Sequence, residues 1–363
     1  MEVSLKSPFG VFLFRRFLMP LGATNYVTQL CSEQAEILSS KHSIASPEVN
    51  PLIISASRRT DIPAYYPDWF YNRIQEGFVC VRNPMNFHQV SRISLSPDVV
   101  DGIVFWTKNP LPLMPRLEEL RAYPFYFQFT LTPYGKDVEP GVPNKNDVIL
   151  PAFQELSRQI GPERMIWRYD PILFTDRYTM DYHITFFSQL ARRLEGYTRK
   201  CIISFVDLYR NTESNMNGLG FAPLTEKEMT ELAQRLADIA GKHHLVLETC
   251  AEKSDLAPYG IAHGHCIDRT LLEQIAGGRL ALDKDKNQRP ECGCMASIDI
   301  GMYDTCRHGR QYCYATHSLK TVARNTQAHD PNSPLLCGQI LPEAAVKERA
   351  VKSCKEEQLR FCY

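Results

Sequence analysis

Four cysteines lie in one short segment near the end of the chain. Cys292 and Cys294 form a C-x-C pair, and Cys306 and Cys313 follow with Gly309 between them. Thiolates at such spacing, in a chain without secretory features, are more often metal ligands than halves of disulfides. Four thiolates suit either tetrahedral zinc or a [4Fe-4S] cluster. The segment therefore predicts a metal centre on these four cysteines.

Two further cysteines could extend that centre. Cys250 ends a predicted strand, and Cys266 follows the turn of His263 and His265. Either thiol could supply an additional ligand or a reactive group. The alternative is that Cys250 is a small buried hydrophobe, as free cysteine often is. The two histidines could bind metal, but a solvated position suits them better.

The composition limits the class of protein. The 363 residues are 44% hydrophobic and 23% charged, which is usual for a globular enzyme. Because lysine plus arginine equals aspartate plus glutamate, no global field would attract nucleic acid or an anionic membrane. No apolar run approaches the roughly 20 residues of a membrane-spanning helix. Twelve cysteines are too sparse for a disulfide scaffold, so we expect reduced thiols and a cytoplasmic location.

The elements that must position the cysteines follow an alternating order. Apolar runs predict six strands, at residues 52–57, 102–106, 126–132, 165–170, 201–207 and 245–250. Helical periodicity follows at residues 67–74, 148–160, 182–194 and 225–242, and residues 78–82 and 89–95 form a predicted hairpin. This order favours an α/β protein with parallel strands. Because a G-x-G-x-x-G turn is absent after the first strand, a full or partial (β/α) TIM-like barrel explains the pattern better than a doubly wound sheet.

The predicted organisation has four parts. Residues 1–48 are expected to be a poorly ordered N-terminal extension, and residues 49–290 the β/α barrel. Residues 291–318 would form a cysteine-rich cluster loop packed on the barrel. Residues 319–363 would form a C-terminal tail with a short helix at 342–359.

Polar side chains recur where the predicted strands end. In a barrel this is the face on which ligands bind, because the βα loops converge there. Four basic residues could hold an anionic group such as a phosphate or an amino-acid carboxylate: Arg58, Arg59, Lys108 and Arg168. The candidate catalytic residues are those four together with Asp61, Asp170 and Glu252. The alternative is that these charges simply form ion pairs with one another.

Several separate motifs resemble one bacterial family of unknown function, called DUF1848. The resemblance covers roughly residues 50 to 318 and rests on SRRTDIP at 57–63, FWTKNP at 105–110, RYDP at 168–171, CID at 266–268 and DIGMYDTCRHGRQYCYA at 299–315. It implies a partial β/α barrel and brings no activity. The family's C-terminal cysteines are similar to the C-x-x-x-C-x-x-C loop of radical S-adenosylmethionine enzymes. In that loop three cysteines bind three irons, and the cofactor's methionine takes the fourth.

This chain departs from that loop at one position. The pattern places Cys306 first, Arg310 second and Cys313 third. A guanidinium stays protonated and cannot ligate iron. Either Cys292 or Cys294 replaces the missing thiolate, or the cluster is degraded. If both replace it, four protein cysteines close the cluster, which suits electron transfer or structure better than radical chemistry.

Two hypotheses follow from the sequence. The first is an iron–sulfur protein of radical-SAM-like type, with a [4Fe-4S] cluster and S-adenosylmethionine as a candidate cofactor. It would bind a small anionic ligand at the barrel mouth, take electrons from a donor protein and catalyse a reaction that the sequence leaves open. The alternative is a non-catalytic, zinc-stabilised barrel that binds a ligand or a partner.

Overall fold

One large parallel β-sheet organises the computed structural model, which describes residues 52–356. Its strands and those of a smaller sheet, in chain order, are β1 (Ile53–Ala56), β2 (Phe78–Asn83), β3 (Asn86–Ser94), β4 (Gly102–Thr107), β5 (Phe125–Thr130), β6 (Met165–Ile172), β7 (Lys200–Phe205), β8 (Val246–Thr249), β9 (Ala262–His263), β10 (Ile298–Asp299) and β11 (Ala345–Glu348). The predicted extension at residues 1–48 lies outside the described residues.

The large sheet is parallel throughout but open. Its strand order is β10-β1-β4-β5-β6-β7-β8-β9. The six predicted strands are confirmed as β1 and β4 to β8, which establishes the α/β class. The edge strands β9 and β10 contain two residues each, and within the described chain they do not pair with each other. The prediction of a complete TIM-like barrel is therefore wrong, because the sheet does not close.

Helices flank this sheet at the positions that the sequence indicates. They are α1 (Ile62–Tyr65), α2 (Pro67–Glu76), α3 (Leu150–Ile160), α4 (Met180–Leu194), α5 (Glu213–Gly218), α6 (Glu226–Lys242), α7 (Arg269–Ala276) and α8 (Leu319–Gln327). Helix α6 begins with a capping box, in which the side chains of Thr225 and Glu228 each accept a backbone N–H of the other residue. Aromatic rings join helix to strand, as where Trp167 of β6 stacks on Phe187 of α4 with centroids 4.9 Å apart.

The two faces of the sheet are covered by different parts of the chain. On one face Phe105, Phe127 and Trp167 belong to the main core, which the helices complete. On the other face, Ile53, Val104 and Ile166 pack with buried side chains of the segment between Cys266 and Cys294. That segment covers the apolar face of the sheet that would be enclosed if the sheet closed into a barrel. Its presence explains how an open sheet can bury both faces.

The smaller sheet corrects one prediction about the C-terminal tail. Strands β2 and β3 form the expected antiparallel hairpin. Strand β11 then pairs parallel with β3, so the helix predicted at 342–359 is wrong over its described residues. The conformation of this segment is set by pairing along the hairpin edge, which local sequence does not reveal. An Arg92–Glu348 ion pair of 2.7 Å also joins the two strands.

A glycine contact brings the cysteine-rich segment against the sheet's loops. The Gly141 N–H donates to the His308 carbonyl at 2.9 Å. A Cβ at position 141 would lie 2.5 Å from the Arg307 carbonyl oxygen and 2.7 Å from that of His308. Both obstructing atoms are backbone, which cannot rotate away. Only glycine allows the two segments to approach this closely.

Substitution of Gly141 should therefore destabilise the protein. We expect Gly141→Ala to lower the free energy of unfolding by about 1–3 kcal/mol through overpacking, measured by urea denaturation. Gly241→Ala is the matched control, because a Cβ there meets nothing within 4 Å. It should be neutral or stabilising by up to about 1 kcal/mol. Equal effects of the two substitutions would contradict the contact.

Candidate functional site

Four cysteine thiols meet against the second face of the sheet. Cys250 directly follows β8, Cys266 follows β9, and Cys292 and Cys294 lie in the loop before β10. The Sγ atoms of Cys250 and Cys266 are 3.1 Å apart. Cys292 and Cys294 are buried in the same apolar cluster as Cys266, and Cys250 packs against that cluster. We call this chain of contacts the thiol centre.

Local sequence allows the loops of the thiol centre to approach one another. Gly293 separates the C-x-C pair, and a Cβ at that position would lie 1.9 Å from Nδ1 of His265. The His265 ring therefore packs directly against the Gly293 backbone, and a larger residue there would displace this ring. His263 and His265 themselves are exposed. Of the six candidate metal-binding cysteines, the structure brings four together in this way.

Two arginines stand beside the thiol centre. The Arg168 Nη1 donates to the Cys266 sulfur at 2.7 Å, and its Nε donates to Asp170 at 2.9 Å. Arg58 lies over the Trp106 ring at 5.1 Å and is a charge neighbour of Cys294 and Cys266. Its Nη2 is buried and has no hydrogen-bond partner among the described residues. A buried, unpartnered donor beside sulfur atoms is unusual, because such a group normally finds an acceptor.

Two of the four thiols have a lowered pKa, and the other two have a raised pKa. Hydrogen bonds from Cys250 and Cys294, followed by the charge of Arg168, hold the pKa of Cys266 well below its ordinary value. A hydrogen bond from Cys294 lowers the pKa of Cys292 to about 6. Donation to Cys266 raises the pKa of both Cys250 and Cys294. The site thus favours thiolate, the form that binds metals, at Cys266 and Cys292, whereas Cys250 and Cys294 retain their protons.

The other two predicted ligands, Cys306 and Cys313, have different neighbours. Arg310 Nη2 donates to the Cys313 sulfur at 3.2 Å. Burial raises the pKa of Cys306 to about 11, and the charge of Arg310 opposes this increase. The Arg310 Nε is buried without a partner among the described residues. Where the cluster motif would have a cysteine, the structure therefore places a guanidinium against thiol sulfur.

Hydrogen bonds through Arg58 connect the chain segments of the two cysteine groups. The Tyr314 hydroxyl donates to the Arg58 carbonyl at 3.2 Å, and Asp299 accepts from the Arg58 N–H at 2.8 Å. The sequence grouped Cys292 and Cys294 with Cys306 and Cys313. The contacts instead group that C-x-C pair with Cys250 and Cys266.

Asp61 is the centre of a buried hydrogen-bond network at the end of β1. One carboxylate oxygen accepts from the Thr107 hydroxyl at 2.8 Å, and the other accepts from the Lys108 N–H at 2.7 Å. His308 Nε2 lies 2.7 Å from the same second oxygen, and its Nδ1 lies 2.9 Å from the Tyr65 hydroxyl. The aspartate therefore ties β1 and β4 to the cysteine-rich segment.

Lys108 is occupied by a buried ion pair that the sequence did not predict. Its Nζ lies 2.7 Å from Glu139, which is also paired with Lys145 and accepts from the Tyr312 hydroxyl. Desolvation lowers the pKa of Lys108 to about 8 even with this partner. Glu139 lies in a loop without strand or helix periodicity, so no sequence signal identified it.

The remaining residues at the strand ends have partners of their own. Glu252 accepts the Phe205 N–H at 2.7 Å, and burial raises its pKa to about 7. Asp207 pairs with Arg289 at 2.5 Å. Arg59 lies over the Tyr303 ring at 5.1 Å. Of the four basic candidates, Lys108 and Arg168 thus have carboxylate partners, as the ion-pair alternative expected.

Between residues 52 and 356, no group of three or more His, Cys, Asp or Glu side chains stands in an arrangement that could hold a metal ion. Over the same range, none of the helices has the length and apolar character needed to cross a membrane.

The fold and site define a cysteine-rich α/β protein with an open parallel sheet and a C-terminal cysteine motif. Residues 53–315 match the model of a family described as "Domain of unknown function (DUF1848)". Because the match spans more than half of the chain, the protein belongs to this family, and the resemblance noted from the motifs is confirmed. Comparison with curated proteins gives no match.

The raised pKa of Glu252 predicts a pH dependence of stability. Its folded pKa of about 7 exceeds the unfolded value of about 4.3, so the native state binds the proton more tightly. This contribution favours folding at low pH and is lost as the pH rises through 7. We therefore expect Glu252→Gln to gain stability relative to the wild type between pH 5 and pH 8, measured by urea unfolding.

The exposed Glu226 provides the control. Glu226→Gln should give a stability profile parallel to that of the wild type. If the Glu252→Gln profile is also parallel, the carboxyl group titrates at the same pH in the folded and unfolded chains, contrary to the prediction.

Proposed function

We propose that this protein is an iron–sulfur protein whose cluster is bound by Cys250, Cys266, Cys292 and Cys294. The observation that carries the proposal is that four cysteines from three chain segments pack in one apolar cluster against the sheet, with the sulfurs of Cys250 and Cys266 only 3.1 Å apart. Cysteines that serve only as small hydrophobes have no need to touch one another. Four thiolates are the usual ligand set of a [4Fe-4S] cluster.

The charges around the thiol centre support a bound metal. A thiolate buried in apolar surroundings is unfavourable unless a cation or a metal compensates it. Arg168 supplies one such cation at the Cys266 sulfur, and Arg58 stands beside Cys294. A metal would satisfy the remaining sulfur lone pairs that these two arginines do not reach.

The unpartnered Arg58 donor favours iron–sulfur over zinc. A cluster contains inorganic sulfides that accept hydrogen bonds, and such bonds help to set its reduction potential. The buried Arg58 Nη2 is a donor suited to a sulfide or to a cysteine sulfur of the cluster. A zinc site offers only its four cysteine sulfurs as acceptors.

The sulfur separation favours the second candidate, a zinc-stabilised protein that binds a ligand or partner. With Zn–S bonds of about 2.3 Å, a tetrahedral site places its sulfurs about 3.8 Å apart. Cys250 and Cys266 are 3.1 Å apart, so their thiols must separate slightly for zinc. They must separate further for a four-iron cluster, in which each thiolate binds a different iron.

A cluster closed by four cysteines would serve electron transfer or structure. Radical-SAM-like chemistry requires an iron that is open to S-adenosylmethionine, and the motif that would provide it contains Arg310 between Cys306 and Cys313. We therefore place the cluster at the thiol centre and assign it no cleavage of that cofactor. An electron-donor protein would be the corresponding partner, and a cytoplasmic location would keep the thiols reduced.

The anionic ligand of the sequence hypothesis would have to bind through the remaining cations. Arg58 and Arg59 form no ion pair with a carboxylate in the described part of the chain, whereas Lys108 and Arg168 do. We propose no reaction for Asp61, Asp170 or Glu252, because each is engaged by backbone or side-chain donors.

Metal analysis of anaerobically purified protein tests the proposal. We expect about four irons and four sulfides per chain, falling to near zero in Cys266→Ala, which removes the central sulfur. Cys80→Ala is the matched control, because Cys80 is buried in the β2–β3 hairpin and should leave the content unchanged. Zinc without sulfide would establish the second candidate, and absence of both metals would exclude both.

Arg310→Cys tests whether the C-terminal motif is an interrupted cluster site. This substitution removes a buried guanidinium that contacts thiol sulfur and completes the C-x-x-x-C-x-x-C spacing. We expect iron and sulfide per chain to rise above the wild-type values, with stronger visible absorption. Arg310→Ala, which removes the charge without adding a thiol, should produce no rise. An unchanged iron content in Arg310→Cys would contradict the interpretation.

A further inference from the structure

A groove separate from the thiol centre has the dimensions of a ligand site. Its volume is about 370 Å³, within the range of about 300–1,000 Å³ that is usual for small-molecule pockets. Its walls are the β2–β3 hairpin, the segment from Ile300 to Asp304 after β10, and the segment from Leu335 to Gly338. None of the four cysteines of the thiol centre lines it.

The groove carries uncompensated positive charge. Arg59, Arg82 and Arg324 line it, and none of the three forms an ion pair with a carboxylate within residues 52–356. The lining carboxylate, Asp304, is engaged by His317, whose Nδ1 lies 3.0 Å away, and by the Ser318 N–H at 3.2 Å. The Arg82 Nη2 donates to the Gln339 carbonyl at 2.6 Å, so an anion entering the groove would meet the guanidinium groups of Arg59 and Arg324 first.

The same walls present flat and apolar surface. Arg59 lies over the Tyr303 ring at 5.1 Å, and Arg82 lies over the Phe87 ring at 5.4 Å. Phe87 is 55% exposed, and the adjoining Met302 offers a polarisable side chain. The Arg82 Nε is buried without a hydrogen-bond partner in the described residues. Aromatic rings and guanidinium groups in the same walls suit a planar ligand with a charged substituent.

We propose that this groove binds a small aromatic anion, a planar apolar ring that carries a phosphate or a carboxylate. The anionic group contacts Arg59 and Arg324, and the ring packs against Met302 and Phe87. Because recognition requires both parts, a neutral aromatic compound or an inorganic anion alone binds more weakly. The proposal does not depend on a metal at the thiol centre.

Binding to the full-length protein tests the proposal by ligand-observed NMR titration. The probes are phenyl phosphate, benzoate, benzyl alcohol and inorganic phosphate. We expect phenyl phosphate or benzoate to bind at least about tenfold more tightly than benzyl alcohol and than inorganic phosphate, as the loss of one charge-assisted hydrogen bond would produce. The preferred anion between the first two probes identifies the substituent.

Substitutions locate the binding to the groove. Arg59→Gln and Arg324→Gln should each weaken binding of the preferred anion about tenfold, whereas Arg192→Gln, the same charge change on the exposed face of α4, should leave it unchanged. Equal affinity for the anionic and neutral probes in the unmodified protein would overturn the proposal, as would equal effects of all three substitutions. Circular dichroism of each variant verifies that it is folded.

Discussion

The need to cover two apolar faces of one parallel sheet governs this structure. Helices cover the first face, and the segment from Cys266 to Cys294 covers the second. A closed barrel would solve the same problem through strand pairing, but β9 and β10 contain two residues each and do not pair with each other in the described part of the chain. The covering segment carries three of the four thiols of the thiol centre and lies against Cys250 at the end of β8. The thiol centre is therefore a result of how the sheet is completed.

Several charged side chains are buried in this molecule. Lys108 and Glu139 form a buried ion pair, Asp61 accepts several donors, and Arg168 bridges a carboxylate and a thiol. Such pairs are strongly unfavourable to break but contribute little net stability when compared with a well-packed apolar core. Their role is better understood as fixing geometry, since Asp61 and Glu139 join strand ends to the cysteine-rich segment through His308 and Tyr312, and Arg168 joins β6 to Cys266. Arg59, Arg82 and Arg324, which line the groove, form no ion pair with a carboxylate of the described residues.

The sequence predicts the sheet well because its six longer strands are continuous apolar runs bounded by polar turns. It does not predict β9 and β10, since two residues carry no periodicity. Four of the six candidate cysteines lie together in the fold, and their grouping does not follow from spacing: Cys292 and Cys294 are close in sequence to Cys306 but pack with Cys250 and Cys266. Tertiary contacts across forty residues leave no local signal. The same reason hides Glu139, the partner of Lys108, and the pairing of β11 with the hairpin.

The order of the covering segment along the chain has a consequence for synthesis on the ribosome. Strands β1 and β4 to β8 are complete by Thr249, whereas the residues that cover their second face extend to Cys294. A nascent chain that ends between these points exposes Ile53, Val104 and Ile166 to water. Such an intermediate presents contiguous apolar surface and is a substrate for chaperones or for aggregation. The cysteine-bearing loops are therefore the last part of the sheet's cover to be synthesised, and their packing removes the apolar surface through which nascent chains could associate.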